Sequence, residues 1–162
     1  MPGNRRLDIG AGKKKPDWET CDVRPGCDYI CSALHVSSLG KFDHLFCYMV
    51  LEHLNCWEIP LALADWYKAL NPNGMLEIVV PDLDHIIKHM PYNLDEALHR
   101  LFGGDRIENG PDDCVEQYHR WAFTNDSLKK VTQEAGFINI KFGPVVPGHI
   151  HLQAWKENYD KS

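Results

Sequence analysis

The sequence has 162 residues, 44% hydrophobic and 25% charged, which is enough for one domain with a single core. Its net charge of -6 excludes a nucleic-acid backbone as the main partner, because neutralising phosphates requires a basic face. No apolar stretch is long enough to span a membrane, and residues 1–6 lack the apolar core of a signal peptide, so we expect a cytoplasmic protein that makes no membrane contact.

The first predicted element is a buried strand from Arg5 to Ile9, which ends in the turn Gly10-Ala11-Gly12. Residues without a Cβ let the chain turn sharply or let a ligand approach its backbone. Asp8 lies inside this apolar run, where an acid is rare unless it is paired or hydrogen-bonded. The strand and its glycine turn are therefore a candidate nucleotide site.

Further strands follow, and the first of them leave no room for full helices between them. We predict these strands over Glu19–Val23, Cys27–Ser32 and Phe42–Met49. Apolar residues then recur at helical spacing from Trp57 to Leu70, and the turn Asn71–Gly74 ends that helix. A β-branched strand over Met75–Val80 comes next.

The second half of the chain predicts three helices and two strands. Helices are expected over Leu83–Met90, over Leu94–Leu101 with Asn93 as N-cap and Gly103 as its stop, and from Thr124 or Asn125 to Gly136. A polar loop is expected over Asp105–Cys114, and strands over Phe137–Phe142 and Ile150–Trp155.

This order of elements is an α/β pattern, in which ligands bind outside the carboxyl ends of the strands. One crevice is therefore expected to collect Gly10–Gly12, Asp22, Ser32, Cys47–Met49 and Pro81-Asp82. The six cysteines lack zinc-site spacing and are expected to be reduced core residues. The nine histidines show no recognisable ligand spacing, so no metal site is predicted.

Four stretches resemble class I S-adenosylmethionine-dependent methyltransferases. Leu7–Gly12 resembles their first motif, and Phe42–Leu54 resembles the fourth, with the Val-Leu-Glu-His-Leu ending that is typical of small-molecule enzymes. Ala69–Leu76 resembles the entry to their fifth strand, and Trp121–Phe137 is similar to their last helix and sixth strand. The resemblance covers nearly the whole chain, and the short spacing from Gly12 to Asp22 is typical of a subgroup with little or no first helix.

The resemblance implies an α/β fold with a Rossmann-like methyltransferase sheet. Seven strands are expected, mostly parallel with an antiparallel last strand, in one N-terminally truncated domain over residues 1–162. It also implies S-adenosyl-L-methionine as cofactor and a small-molecule or glycan- or lipid-type methyl acceptor. A homodimer is a further expectation.

The resemblance also assigns the cofactor site. Gly10, Ala11 and Gly12 would pass under the methionyl part, with Asp8 beneath the amino group. Asp22 would accept both ribose hydroxyls, since a carboxylate offers two acceptors to a cis-diol. Ser32 stands where relatives often carry an acid that binds adenine. The remaining cofactor residues are Ala33, Tyr48 and Met49.

Tyr48, His53 and His119 are the predicted catalytic residues, because a positioned base is needed where the acceptor must lose a proton. The alternative for His53 is that it braces the pocket together with Glu52, and for His119 that it is a structural residue. His149 and His151 are expected at the surface.

The stretch Tyr118–Phe123 is expected to cover the site, because no N-terminal helix is predicted to do so and methyl transfer needs water excluded. His119 or Tyr118 would face the pocket, while Trp121 and Phe123 would anchor the segment in the core.

Two other functions are weighed. A non-catalytic S-adenosylmethionine-binding partner subunit stays open as the alternative. A nicotinamide-dependent dehydrogenase is disfavoured, because Lys15 stands at the third glycine position of that fingerprint and Asp22 follows too soon.

Overall fold

The computed structural model describes residues 4–103, 118–144 and 146–158, and a seven-stranded sheet is their central element. The strands are β1 (Arg6–Ile9), β2 (Glu19–Asp22), β3 (Tyr29–Ile30), β4 (Phe42–Tyr48), β5 (Leu70–Pro81), β6 (Ile138–Phe142) and β7 (His149–Trp155). The helices are α1 (Ile59–Ala69), α2 (Leu83–His89), α3 (Leu94–Phe102) and α4 (Asn125–Glu134), with 3₁₀ turns at Val36–Leu39 and Leu51–His53.

The strand order across the sheet is β3-β2-β1-β4-β5-β7-β6. Strands β1 to β5 pair in parallel, and β7 is antiparallel to both of its neighbours. The predicted Rossmann-like sheet with an antiparallel last strand is confirmed. The order reverses between β1 and β4, and a crevice opens at the carboxyl ends of strands at such a switch point.

The chain passes from β1 to β2 and β3 without an α-helix, as the short spacing predicts. Side chains join these three strands at their amino ends, which is the end of the sheet opposite the crevice. The Arg5 guanidinium donates two hydrogen bonds to the Glu19 carboxylate, at 2.7 and 2.6 Å, and the Tyr29 hydroxyl donates a third at 2.7 Å. One carboxylate therefore links the start of β1 to β2 and β3.

Helix α1 buries its apolar stripe against the sheet, and Trp66 lies at the centre of this contact. The Trp66 indole is fully buried, and its Nε1–H donates to the carbonyl of Ala33 at 2.7 Å. Buried indoles usually need such a partner. This bond fixes the loop after β3, which forms part of the cavity wall described below.

The extents of two predicted strands are wrong by more than one residue. Strand β5 begins at Leu70 rather than Met75, because Leu70 already pairs with Phe42 and the register shifts before Met75 pairs with His44. The turn predicted at Asn71–Gly74 is thus an irregularity within the strand. Strand β3 has only two residues, since the Asp28 carboxylate takes both the N–H and the hydroxyl of Thr20, which shortens the ladder.

The predicted caps of the later helices are confirmed. Asn93 caps α3 through a bond from the Glu96 N–H, and Thr124 caps α4 in a reciprocal capping box with Ser127. The loop predicted at 105–114 lies outside the described residues. Within the described ranges, no helix has both the length and the apolar character needed to cross a bilayer.

Candidate active site

A cavity of about 570 Å³ opens at the carboxyl ends of β1, β2, β4 and β5, where the strand order reverses. Eight of the residues predicted for the site line its wall: Gly10, Asp22, Ser32, Ala33, Met49, His53, Pro81 and His119. The fold therefore brings together residues that are up to about a hundred positions apart in sequence.

Gly10, the first residue of the glycine turn after β1, lies on the wall of the cavity. Gly10 has φ 70° and Gly12 has φ 66°, a region that side chains rarely adopt. The N–H groups of Gly10 and Ala11 both donate to the carbonyl of Cys21, at 2.8 and 3.1 Å. A Cβ at Gly10 would lie 2.3 Å from Cγ2 of Val50, so only glycine fits there.

Asp22 ends β2 beside this turn, and its carboxylate is almost completely buried. The Gly12 N–H donates to Oδ2 at 3.0 Å and the Arg24 N–H donates to Oδ1 at 2.9 Å. Each oxygen keeps a further lone pair, because a carboxylate oxygen can accept two hydrogen bonds. The side chain is thus oriented on the cavity wall with acceptor capacity to spare.

Asp8, Ala11 and Gly12 do not line the cavity. The Asp8 carboxylate is buried behind the turn and forms an ion pair with the Lys15 ammonium. Burial raises the pKa of Asp8, and the hydrogen bond from Lys15 opposes that rise. The pair explains how an acid is accommodated inside β1, and it leaves Asp8 in a supporting position.

Tyr48 also lies outside the cavity wall. Side chains alternate between the two faces of a strand, and in β4 Cys47 is buried while Tyr48 is 50% exposed. The Tyr48 ring stacks between Phe46 and His149, with ring centroids 6.3 and 6.5 Å away. Met49 follows with φ 56°, and this strained backbone places it on the wall.

His53 and His119 lie next to each other on the cavity wall. His53 Nδ1 donates to the carbonyl of Tyr118 at 3.3 Å, and His119 Nδ1 donates to the carbonyl of Arg100 at 3.0 Å. The two rings meet edge to face with centroids 5.0 Å apart. Since a neutral imidazole has one N–H, both rings carry their lone pair on Nε2.

Burial controls the charge of both imidazoles. It lowers the pKa of His53 to about 4, with the neighbouring His119 as a second cause. Burial also lowers the pKa of His119, and hydrogen bonds to the carbonyls of Arg100 and Leu101 partly oppose this decrease. Both rings are therefore neutral near pH 7 and able to accept hydrogen bonds at Nε2.

Glu52 lies directly behind His53 and is completely buried. Among the described residues, neither of its carboxylate oxygens has a hydrogen-bond partner, and the closer imidazole nitrogen, His53 Nε2, is 4.0 Å from Oε1. Burial raises the pKa of Glu52 to about 8. Buried polar groups without partners are rare in native structures.

The segment that carries His119 differs in part from the prediction. Phe123 is buried as expected, with 1% of its surface exposed, but Trp121 is 45% exposed and the prediction that it anchors the segment is wrong. Main-chain bonds replace that anchor, because the N–H groups of Arg120 and Trp121 both donate to the carbonyl of Glu52, at 2.7 and 3.1 Å. Tyr118 is exposed and does not line the cavity.

Sequence reasoning missed the wall residues that come from α3 and from the start of β7. These are His99, Arg100, Gly103, Gly148 and His149. His149 was expected at the surface, yet it lies on the wall because an antiparallel last strand starts at the carboxyl ends of its parallel neighbours. The antiparallel last strand that the resemblance implies therefore already predicted this position for His149. No motif marks α3, so its contribution could not be found from the sequence.

Charge is unevenly distributed around the wall. Asp22 is the acidic residue among the lining residues, and three arginines accompany it, at positions 24, 100 and 120. Two of these arginines already have an acidic partner: the Arg24 guanidinium lies 3.6 Å from the Asp22 carboxylate, and Arg100 pairs with Glu96 at 2.8 Å.

The sequence and the fold both match known methyltransferases. A family described as a methyltransferase domain matches residues 2–141. No curated protein matches the sequence.

Solved structures share the fold at low identity. An S-adenosylmethionine-dependent methyltransferase from Thermotoga maritima has 12% identity and a TM-score of 0.64, and the alignment covers 97% of this chain and 84% of that chain. One from Archaeoglobus fulgidus has 13% identity and a TM-score of 0.62, covering 95% and 87%.

A third similar structure is the 1,6-didemethyltoxoflavin N1-methyltransferase of Burkholderia thailandensis, solved with its substrate and S-adenosylhomocysteine. It has 16% identity and a TM-score of 0.61, covering 94% of this chain and 71% of that chain. Against others, such as human N-acetylserotonin methyltransferase, this chain spans about half of the relative's length, 48% in that case.

Proposed function

The chain belongs to the family of methyltransferase domains, and from this premise we propose that it transfers the methyl group of S-adenosylmethionine to a small acceptor. The acceptor is a small molecule or the slender end group of a glycan or lipid, because one cavity of about 570 Å³ must hold the donor and the reacting group together. An acceptor with a carboxylate or phosphate suits the arginines on the wall.

One observation carries this proposal: the Asp22 carboxylate, oriented by the Gly12 and Arg24 amides, stands on the cavity wall beside the Gly10 turn. In the proposed complex, Asp22 binds the ribose hydroxyls and the Gly10 turn lies against the methionyl part. Ser32, Ala33 and Met49 border the adenine. Relatives solved with S-adenosylmethionine or S-adenosylhomocysteine support this choice of cofactor.

His53 and His119 are proposed to receive the methyl acceptor. S-adenosylmethionine, when bound, supplies an electrophilic methyl group, so the protein has to align a nucleophile and take up its proton. The Nε2 lone pairs of the two neutral imidazoles suit an acceptor hydroxyl or amine, which would donate its proton there. Tyr48 is given no direct role, because it stands outside the wall.

The test is ligand-dependent thermal stability. S-adenosylhomocysteine should raise the melting temperature and NAD should not, with a stabilisation of roughly 2.7 kcal/mol when free ligand reaches about 100 times its dissociation constant. Stabilisation by NAD alone would overturn the proposal. Binding of S-adenosylmethionine without methyl transfer to any carboxylate- or phosphate-bearing acceptor in a screen would favour the non-catalytic alternative.

A further inference from the structure

Glu52, His53 and His119 come together beside the cavity, with one ligand atom from each lying within 4.8 Å of the other two. We infer that these three side chains bind a divalent transition-metal cation of the zinc type. The cation's site stands on geometry alone, and only its use in methyl transfer rests on the proposed function. The sequence predicted no metal site, because only the fold brings residue 119 beside residues 52 and 53.

The two imidazoles are already oriented as metal ligands. A histidine that binds a metal through one ring nitrogen almost always donates its other N–H to a carbonyl or carboxylate. His53 does so to the carbonyl of Tyr118, and His119 does so to the carbonyl of Arg100. Both Nε2 atoms are left with a lone pair, the form in which imidazole binds Zn²⁺.

Glu52 supplies the independent observation. Its carboxylate is fully buried, and neither oxygen accepts a hydrogen bond from any other residue in the described ranges. An ionised carboxylate is very costly to bury without a partner, so the side chain must hold either a proton or a cation. The imidazoles of His53 and His119 lie beside it, and the three side chains together form a ligand set of two histidines and one carboxylate, which occurs in zinc enzymes.

The backbone holds the two segments in place. The Glu52 carbonyl accepts hydrogen bonds from the N–H groups of Arg120 and Trp121, and the His119 N–H donates to the carbonyl of Phe102 at 2.9 Å. Ligand atoms around tetrahedral zinc are about 3.3 Å apart, so the widest pair has to close by roughly 1.5 Å. Rotation about side-chain torsions supplies that movement without displacing the main chain.

Three protein ligands leave one position of a tetrahedral site for water or substrate. His53 and His119 both line the cavity, so that position would face the methyl acceptor. A bound cation would hold the acceptor oxygen in line with the methyl group and favour its deprotonated form. The two histidines would then act through the cation rather than as free bases.

Calorimetric titration with Zn²⁺ tests the site on protein of residues 1–162 that has been treated with a chelator. One Zn²⁺ should bind per chain, and Co²⁺ should give the visible absorption of tetrahedral coordination. Removing a ligand in His119→Asn or Glu52→Gln should weaken Zn²⁺ binding by at least the roughly 10- to 100-fold that loss of an outer-shell partner causes. Circular dichroism would verify that each variant is folded.

A matched control is available on α2. His85 and His89 are one helical turn apart, with ring centroids 4.1 Å apart, and form a second place where Zn²⁺ could bind. His89→Asn should leave Zn²⁺ affinity unchanged. Absence of Zn²⁺ binding, equal affinity in folded His119→Asn and Glu52→Gln, or loss of binding in His89→Asn would each overturn the inference.

The same samples separate this inference from the proposed function. S-adenosylhomocysteine binding that persists while Zn²⁺ fails to bind overturns the metal site alone. Zn²⁺ binding without S-adenosylhomocysteine binding overturns the proposed function and leaves the metal site standing.

Discussion

At the scale of single residues, Asp22 shows how the backbone orients a buried carboxylate on the cavity wall. Two main-chain N–H groups hold its carboxylate, one on each oxygen, at 3.0 and 2.9 Å. Those bonds belong to the folded protein with or without ligand, so the loss of Asp22 affects both the local turn and the proposed ribose contact. A test of its function therefore has to measure affinity on folded protein.

Asp22→Ala should weaken S-adenosylhomocysteine binding by roughly 1.5–3 kcal/mol, or about 10- to 150-fold, the range for hydrogen bonds to a charged group. Isothermal titration calorimetry measures the change. Asp126→Ala, which removes an exposed acid from the first turn of α4, is the control and should bind normally. Wild-type affinity in folded Asp22→Ala would refute the ribose assignment.

At the scale of elements, the sequence predicts where strands and helices occur better than where they end. The stripe of Ile59, Leu63 and Trp66 identifies α1, and Thr124 marks the start of α4, because periodicity and capping are local signals. The short β3 and the early start of β5 depend on partners elsewhere in the chain, namely Thr20 and Phe42. Local patterns carry no information about such pairings.

The same distinction holds for the site. Gly10 and Asp22 follow strand ends within one motif, so their spacing predicts that they share a wall. Arg100 lies on a helix with no motif, and Trp121 was misplaced because aromatic content alone does not indicate which side of a segment is buried. The tertiary structure decides both whether Arg100 reaches the cavity and whether Trp121 is buried.

The link between β1, β2 and β3 makes stability depend on pH. Hydrogen bonds from Arg5 lower the pKa of Glu19 below its ordinary value of 4.5, with the Tyr29 hydroxyl contributing. A carboxyl whose pKa is lower in the folded state stabilises the fold above its unfolded pKa, and this stabilisation is lost as the pH falls through the folded pKa.

Glu19→Gln should therefore lower the free energy of unfolding by about 1 kcal/mol at pH 7, a modest value because the pair is partly solvated. The difference from wild type should shrink as the pH falls below 4.5, in urea titrations at several pH values. Glu96→Gln is the control, because it removes an acid from the exposed pair with Arg100 on α3, and it should change the free energy of unfolding little at any of these pH values. A difference that stays constant down to pH 3 would contradict the assignment.

At the scale of the whole molecule, the segment that carries His119 belongs to the main hydrophobic core. Phe123 lies in one buried cluster with residues of the sheet, α1 and α4, and its carbonyl accepts the N–H of Leu83 at 2.9 Å. The part of the cavity wall that carries His119 therefore belongs to the same cooperative unit as the part that carries Gly10 and Asp22. Its geometry should persist as long as the domain stays folded.

Phe123→Ala should lower the free energy of unfolding by about 3–5 kcal/mol, because it leaves a large cavity in the core. Trp121→Ala removes an equally aromatic but exposed side chain and should cost within about 0.5 kcal/mol. Equilibrium unfolding in urea gives both values. Comparable losses in the two variants would show that Trp121 does anchor the segment.

The position of β7 has a consequence for synthesis. Strand β7 lies between β5 and β6 in the sheet, but it follows both of them in the sequence. The ribosome therefore makes β7 after the two strands that it separates. Until residue 155 has emerged, a nascent chain presents the long edge of β5 without its antiparallel neighbour, and unpaired edges of this kind associate with other chains. A translational pause in the codons for residues 143–148 is therefore expected to prolong the interval in which the emerging protein can aggregate.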